Sequence, residues 1–364
     1  MVYDLIWILC AGLVPLLTLL PLLRLQVWWV RGLEFPALQI TALSGVVLLI
    51  YPLVFGVQGP LNSAVIALLA GCSLLQVSRI IRYTPLFPKQ IQTARQLRPK
   101  DQLTVLVANV LTPNRSVDRL LDLVHAQKPD IFLAVETDDW WQAQLDVISP
   151  DYPYRVQQPL DNLYGMSLFS RLELRDPRIL HLVEENVPSI HASVVMPNGH
   201  LFALHCLHPA PPSPTENETS VERDAELLLV AKTLDPQVQS VVLMGDLNDV
   251  PWSQTIRLFQ KIGGLLDPRV GRGFFSSFHA NYPLLRWPLD HVFCTSDFTL
   301  VSFERLGNIG SDHFPIQVCL QHTPRAQTLH RDPIANEKDL NLAQVKIETA
   351  GADEQALESK SGPL

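Results

Sequence analysis

Five short segments carry the residues able to do chemistry, and each lies where an apolar run stops or starts. Asn109 closes the run Leu103 to Val110, and Glu136 follows Ile131 to Val135. Gly245-Asp246-Leu247-Asn248-Asp249 follows Val241 to Met244, Pro288-Leu289-Asp290-His291 opens another run, and Ser311-Asp312-His313-Phe314-Pro315 precedes the last. One carboxylate at a strand end ordinarily caps a helix or makes a turn. Repeated in one domain, the placement points to a shared site. Two more histidines stand in Leu204-His205-Cys206-Leu207-His208-Pro209. His205 lies inside the apolar run and reads as a core residue. His208 directly precedes a Pro-rich loop and is the favoured candidate.

The elements that must position these residues alternate between strand-like and helix-like segments. Ser116 is the expected N-cap of a helix over Val117 to Gln127, where Val117, Leu120, Leu121 and Val124 recur at helical spacing. Strands are expected at Met166–Ser170, Ile190–Met196 and Leu201–Leu207 and a helix at Val221–Leu234, with Val241–Met244, Ser253–Ile262, His291–Cys294, Phe298–Phe303 and Phe314–Leu320 completing the segments. Several connections are too short for helical crossovers, so the α/β pattern calls for mixed or antiparallel sheets.

The first 83 residues read differently. Leu5 to Leu23 carries no charge, and neither does Phe35 to Ser78. A membrane span needs roughly 20 apolar residues. Three transmembrane helices are therefore expected, at about 5–23, 36–57 and 61–81. The start lacks the basic region of a signal peptide, so a cleaved signal is not expected. Arg24, Arg31, Arg79, Arg82, Lys89, Arg95 and Arg98 fall on one side of such a topology, which places a multi-pass protein in the cell membrane with its catalytic domain cytoplasmic by the charge rule. Residues 84–100 read as a juxtamembrane linker along the membrane surface, 101–321 as the soluble domain, and 322–364 as a polar, mostly disordered tail with a short helix near Asn336 to Val345. The five cysteines show no CxxC pair, so neither a disulfide framework nor a zinc site is expected.

Taken in order, Asn109, Glu136, Gly245 to Asn248, Leu289 to His291 and Ser311 to Pro315 resemble the motifs of the endonuclease/exonuclease/phosphatase (deoxyribonuclease I-like) superfamily. Tyr164 to Arg171 resembles that superfamily's strand ending in Ser-Arg. The resemblance spans nearly the whole soluble domain. It implies a four-layered sandwich, two mixed β-sheets flanked by helices, here preceded by the three transmembrane helices. It also implies a metal-dependent hydrolase acting on phosphate ester bonds. Abasic-site endonucleases carry an Asp two residues after the first Asn, where this chain has Leu111, and their damage-recognition loops have no counterpart. Both departures count against DNA repair.

Charge supports the same chemistry. Residues 100–321 hold 16 Lys/Arg and 27 Asp/Glu, a net of −11, and so acidic a domain repels phosphate unless a cation bridges the two. Hard oxygen donors suit Mg²⁺ (or Mn²⁺), with Glu136 the first choice as ligand and Asn109 and Asp312 completing the site. By family resemblance Asp246 orients or deprotonates the attacking water, Asn248 helps hold it, His313 donates to a phosphate oxygen, Asp290 positions His313, and His208 is the second active-site histidine.

The reading that follows is a membrane-anchored, divalent-metal-dependent phosphoesterase. Its partners are the lipid bilayer and a phosphate-ester substrate, phosphodiester or phosphomonoester, for which a membrane lipid is the favoured source. The alternatives are an endonuclease acting on nucleic acid and a catalytically silent membrane-tethered binding domain. Duplex binding draws on Lys and Arg, in which this domain is poor, and a silent domain should have lost part of the motif set. The juxtamembrane basic residues are expected to meet anionic lipid headgroups.

Overall fold

The computed structural model describes residues 2–352. Among the described residues, three helices are long and apolar enough to cross a membrane: α1 (Val2–Leu19, continuing apolar to Leu23), α3 (Ala37–Phe55) and α4 (Pro60–Ile80). Their outward faces are leucines and isoleucines, with Leu53 84% exposed, a surface that water does not tolerate and acyl chains do. The loop between the first two holds one short helix, α2 (Trp28–Arg31).

The remaining helices are α5 (Val117–Gln127), α6 (Asp139–Leu145), α7 (Val221–Thr233), α8 (Gln254–Gly263) and α9 (Glu337–Thr349). The strands are β1 (Gln102–Asn109), β2 (Ile131–Val135), β3 (Tyr154–Gln158), β4 (Met166–Ser170), β5 (Leu174–Leu180), β6 (Ser189–Val195), β7 (Leu201–Leu207), β8 (Ser240–Asp246), β9 (Asp290–Cys294), β10 (Phe298–Arg305) and β11 (Ile316–His322). They form one sheet in the order β10-β11-β1-β2-β4-β3 and a second in the order β5-β6-β7-β8-β9, each mixing parallel and antiparallel pairs.

The inner faces meet in one core. Val105, Val107, Leu133 and Leu168 from the first sheet pack against Phe202, Leu204, Val242 and Val292 from the second. Alternate residues of the same strands face outward, Leu106 and Phe132 under α5 and α6, Leu243 and Phe293 under α7 and α8. The result is helix, sheet, sheet, helix: the expected four layers.

Two local expectations change, at Ser116 and in the tail. Ser116 makes no side-chain cap to α5; Asn114 Oδ1 instead accepts from the Ser116 amide at 3.0 Å. The 84–100 segment packs on the catalytic domain, with Ile91 drawn into the central core and the Ala94 amide bonded to Leu300 at 2.8 Å. The tail is ordered over α9, which starts on an Asn336/Asp339 capping box and buries Ala343 and Ile347 against Leu228, Leu229 and Leu258. The rest of that expectation, from Asp353 onward, lies outside the described residues.

The loop after the first span packs on the catalytic domain. Trp28 donates its amide to Glu218 at 3.0 Å, and the Trp252 indole donates to Glu34 at 2.7 Å. Arg31, buried, reaches Glu34 at 3.0 Å, Asp249 at 3.7 Å and Asp224 at 3.9 Å. Asp224 also takes Arg223 at 2.8 Å and Lys346 of α9 at 2.6 Å. Burial alone would raise the Asp224 carboxyl, but Lys346, Arg223 and Arg31 together hold it far below the usual carboxylate range.

Candidate active site

The register explains how distant motifs meet. Asn109 lies beside Val135, Leu207 beside Gly245 and Asp246 beside Asp290, so β1, β2, β7, β8 and β9 bring their site residues to one end of the double sheet. Gly245 makes this possible: at φ 149° its Cα lies so close to β7 that a Cβ would fall 1.9 Å from the Leu207 carbonyl oxygen. Glu136 (φ 62°) and Asn248 (φ 51°) are held in the left-handed region, a conformation costly for such residues and concentrated at functional sites.

Glu136, His208, Asp246, Asn248, Asp312 and His313 share one cavity of about 450 Å³. Asn109 stands beneath it, donating its amide to Glu136 Oε1 at 2.7 Å and to Asp246 Oδ2 at 3.1 Å. Its oxygen is turned away and accepts from the Leu111 amide at 3.0 Å. Asn109 as placed therefore holds two carboxylates together. Asn248 donates its amide side chain to the Pro209 carbonyl at 3.0 Å and its backbone N–H to Asp246 Oδ1 at 3.0 Å.

His313 is sandwiched between two carboxylates, with Nδ1 2.8 Å from Asp290 Oδ2 and Nε2 3.5 Å from Asp246 Oδ2. Burial opposes its charge, but Asp290 and then Asp246 outweigh burial and push its pKa up to about 10. Burial also lifts Asp290, yet the shared proton belongs to the more basic imidazole. The next residue after Asp290 on β9, His291, points the other way, bonded to Arg269 at 2.6 Å and to the Asp249 carbonyl at 2.8 Å.

Burial pushes Glu136 up to about 7, with Asn109 and His313 opposing and Asp246 and Asp312 adding to it. Such a carboxylate is short of positive charge. His208 is the reverse case: burial pulls it down to about 4, leaving a neutral ring whose Nδ1 has no partner. His205 lies outside the cavity, its Nδ1 2.7 Å from that of His191 inside the sheet. Glu136, Asp246 and Asp312 supply hard oxygens, and Asp290 Oδ1 is buried without a partner, so the donor set fits a divalent cation. Asp246, Asp290 and His313 also come close enough to share an ion, although the His313 ring there already bridges the two carboxylates.

Of the cavity's other walls, Tyr164 and Leu289 stand in motifs already quoted, whereas Leu163, Phe278, Trp287, Gly32 and Phe35 carry no signal in the sequence; Gly32 and Phe35 come from the loop between the first two apolar helices. The sequence reading also missed that Arg223 ties Asn248 and Asp249 to Asp224, donating to the Asn248 carbonyl at 2.7 Å and lying 3.1 Å from Asp249. Asp249 stood in the quoted motif, and its place beside Asn248 was the available signal.

No curated protein sequence matches the chain. Among solved structures, TDP2 of D. rerio complexed with a single-strand DNA product superposes with a TM-score of 0.51 at 17% identity, over 60% of this chain and 99% of that one. The human Nocturnin catalytic domain with bound sulfate gives 0.48 at 16% identity, over 62% and 96%. An endonuclease/exonuclease/phosphatase from Beutenbergia cavernae gives 0.49 at 19% identity, over 61% and 72%. The profile of the endonuclease/exonuclease/phosphatase family matches residues 106–313, which runs from β1 to His313 and takes in every candidate catalytic and metal-binding residue, though not Gly32 and Phe35 of the cavity wall. The chain belongs to the endonuclease/exonuclease/phosphatase family.

Proposed function

We propose that this protein is a membrane-anchored, divalent-metal-dependent phosphoesterase whose substrate is a lipid-linked phosphate ester. One observation carries the reading: the cavity that gathers Glu136, Asp246, Asn248, Asp312 and His313 is walled on its other side by Gly32 and Phe35, from the loop joining two apolar helices. Phe278, Trp287 and Leu289 continue that apolar wall, which suits a substrate with a charged phosphate and a hydrocarbon body.

Glu136 and Asp312 would hold Mg²⁺ or Mn²⁺, and Asn109 would fix the Glu136 carboxylate. The bound cation would polarise a phosphoryl oxygen and offset charge on the leaving group. Asp246, oriented by Asn109 and by the Asn248 amide, accepts the proton of the attacking water. His313 carries its proton at Nε2 toward the phosphate and stabilises developing charge, while Asp290 fixes the ring through Nδ1. Neutral His208 offers a further polar contact from the opposite wall. With 16 basic against 27 acidic residues over 100–321, the domain lacks the cationic surface that nucleic acid requires.

The test is hydrolysis by the full chain in neutral detergent, comparing lipid phosphomonoesters and phosphodiesters with single-stranded DNA and RNA, in Mg²⁺, Mn²⁺ or EDTA. Metal-dependent release from a lipid substrate is expected. Asp246→Ala and His313→Ala should each lower it by about 10² to 10³. Faster cleavage of nucleic acid than of any lipid would overturn the substrate assignment, and full activity in EDTA would overturn the metal.

A further inference from the structure

A second cleft, of about 780 Å³, opens on the other side of the loop that walls the active site. Its rim is set by the ends of two apolar helices, through Leu22 and Arg24 after α1 and through Leu75, Arg79 and Arg82 at the end of α4. Its far wall is α8, which contributes Arg257. These positions follow immediately on the apolar spans, so in a bilayer the cleft lies at headgroup depth.

Four guanidinium groups of like sign gather here. Among the described residues, none of Arg24, Arg79, Arg82 and Arg257 lies within 4.0 Å of a carboxylate. The two acids in the lining are engaged elsewhere, Glu34 with Arg31 at 3.0 Å and Asp339 with Lys261 at 3.0 Å. Arg257 is half-buried, its Nη2 meets only the Arg79 carbonyl at 3.5 Å, and its Nε is buried without a partner. Burial is the main influence against its cationic form, joined by the charges of Arg82 and Arg79 and opposed by Tyr83 and Glu34. Clustering like charges in a partly dehydrated cleft is unfavourable unless an anion completes it. Guanidinium groups match phosphate oxygens in geometry as well as charge. The apolar neighbours Leu22 and Leu75 lead from the cleft toward the hydrocarbon layer.

We infer that this cleft binds the phosphate headgroup of an anionic phospholipid from the surrounding leaflet, at a site separate from the catalytic cavity. The inference rests on the three helices crossing a bilayer and not on the proposed reaction. A fixed headgroup there would brace the loop from behind, since Glu34 lines this cleft while Phe35 lines the catalytic one.

The test uses the delipidated full chain in neutral detergent, titrated with short-chain phosphatidylglycerol and read as lipid retained in native mass spectrometry and as a shift in Tm. Parallel titrations use short-chain phosphatidylcholine and inorganic phosphate. Saturable retention of phosphatidylglycerol is expected, weakened about fivefold for each arginine removed in Arg24→Gln, Arg82→Gln and Arg257→Gln. Arg257→Lys should keep part of it. Should Arg257→Gln fail to fold, the two substitutions at the cleft mouth decide alone. Lys89→Gln and Arg95→Gln, which remove nearby basic groups outside the cleft, should change nothing. Equal retention of phosphatidylcholine, an equal response to inorganic phosphate, or an equal loss in the Lys89 and Arg95 variants would each overturn the assignment.

Discussion

Replacing Asp290 by Asn keeps the size of the side chain and removes the charge that most favours the His313 imidazolium. The displacement of His313 from 6.5 to about 10 corresponds to about 5 kcal/mol in favour of the protonated ring. Burial opposes that charge, and Asp290, 2.8 Å from Nδ1, is the largest favourable contribution, ahead of Asp246 at 3.5 Å from Nε2, so removing Asp290 takes away at least about half of the displacement. Without it the His313 pKa falls by about 2 and the imidazole loses its proton in the mildly alkaline range. The group must be protonated to donate, so its contribution is intact below its pKa and lost above. The alkaline limb of kcat/KM therefore moves down by about 2 pH in the variant. At pH 8 the loss is about twofold and at pH 9 about tenfold, still smaller than the 10² to 10³ expected for His313→Ala. The assay is a pH profile for both proteins at saturating Mg²⁺, so that the cation's field is common to them. A folded Asp290→Asn protein with an unchanged profile would refute the proton assignment, and an equal loss at every pH would make Asp290 purely structural.

Glu136→Gln keeps the hydrogen-bonding shape but not the charge, and should raise the Mg²⁺ concentration for half-activity by at least about tenfold; an unchanged metal titration removes Glu136 from the ligand set. Glu226 is buried with Oε1 unpartnered, and burial followed by Glu184 pushes it up to about 8. Its raised pKa contributes stability present below 4.5 and lost as pH rises through about 8, so Glu226→Gln should gain about 1 to 3 kcal/mol at pH 8 and nothing at pH 4, measured by denaturant melts at both. Arg31→Ala strips a buried guanidinium from Asp224, Asp249 and Glu34 and should cost about 3 to 5 kcal/mol; a Tm within a degree of the parent would show the loop to be loosely attached.

What the sequence made legible were the central strands and the site they carry. β1, β2, β4, β7 and β8 are buried on both faces, so they read as continuous apolar runs ending on polar residues. The unread strands, β3 and β5, are the free edges of the two sheets. β5 carries Pro177 and shifts register between Arg175 and Arg178, as edge strands do, and so shows no apolar alternation. Helix α6 escaped because adjacent Trp140 and Trp141 break the helical spacing, although Asp138, which caps it by accepting from the Trp141 amide, was in plain view. The motif residues were found, but not the orientation of the Asn109 amide, which depends on Asp246 137 positions away. Nor does any local pattern say that Arg31 finds Thr255 across 224 residues.

That last contact changes what the membrane segment is for. A tether needs only length and hydrophobicity, and any loop between its helices would do. Here the loop buries Arg31 in the catalytic domain, places Phe35 in the active-site wall and caps the Trp252 indole with Glu34. The ion network that receives Arg31 also receives Lys346 from α9 and, through Arg223, the backbone of Asn248. The catalytic loop, the membrane loop and the C-terminal helix therefore converge on one buried carboxylate, Asp224. An isolated 101–321 fragment keeps both sheets and every motif residue but leaves Asp224 with Arg223 as its remaining cation, and leaves a hole where Ile91 filled the core. Its melting point should fall below that of the full chain even though no catalytic group has been touched. In this chain the segment that carries the three apolar helices is therefore part of the catalytic architecture, because its loop supplies Gly32 and Phe35 to the cavity wall.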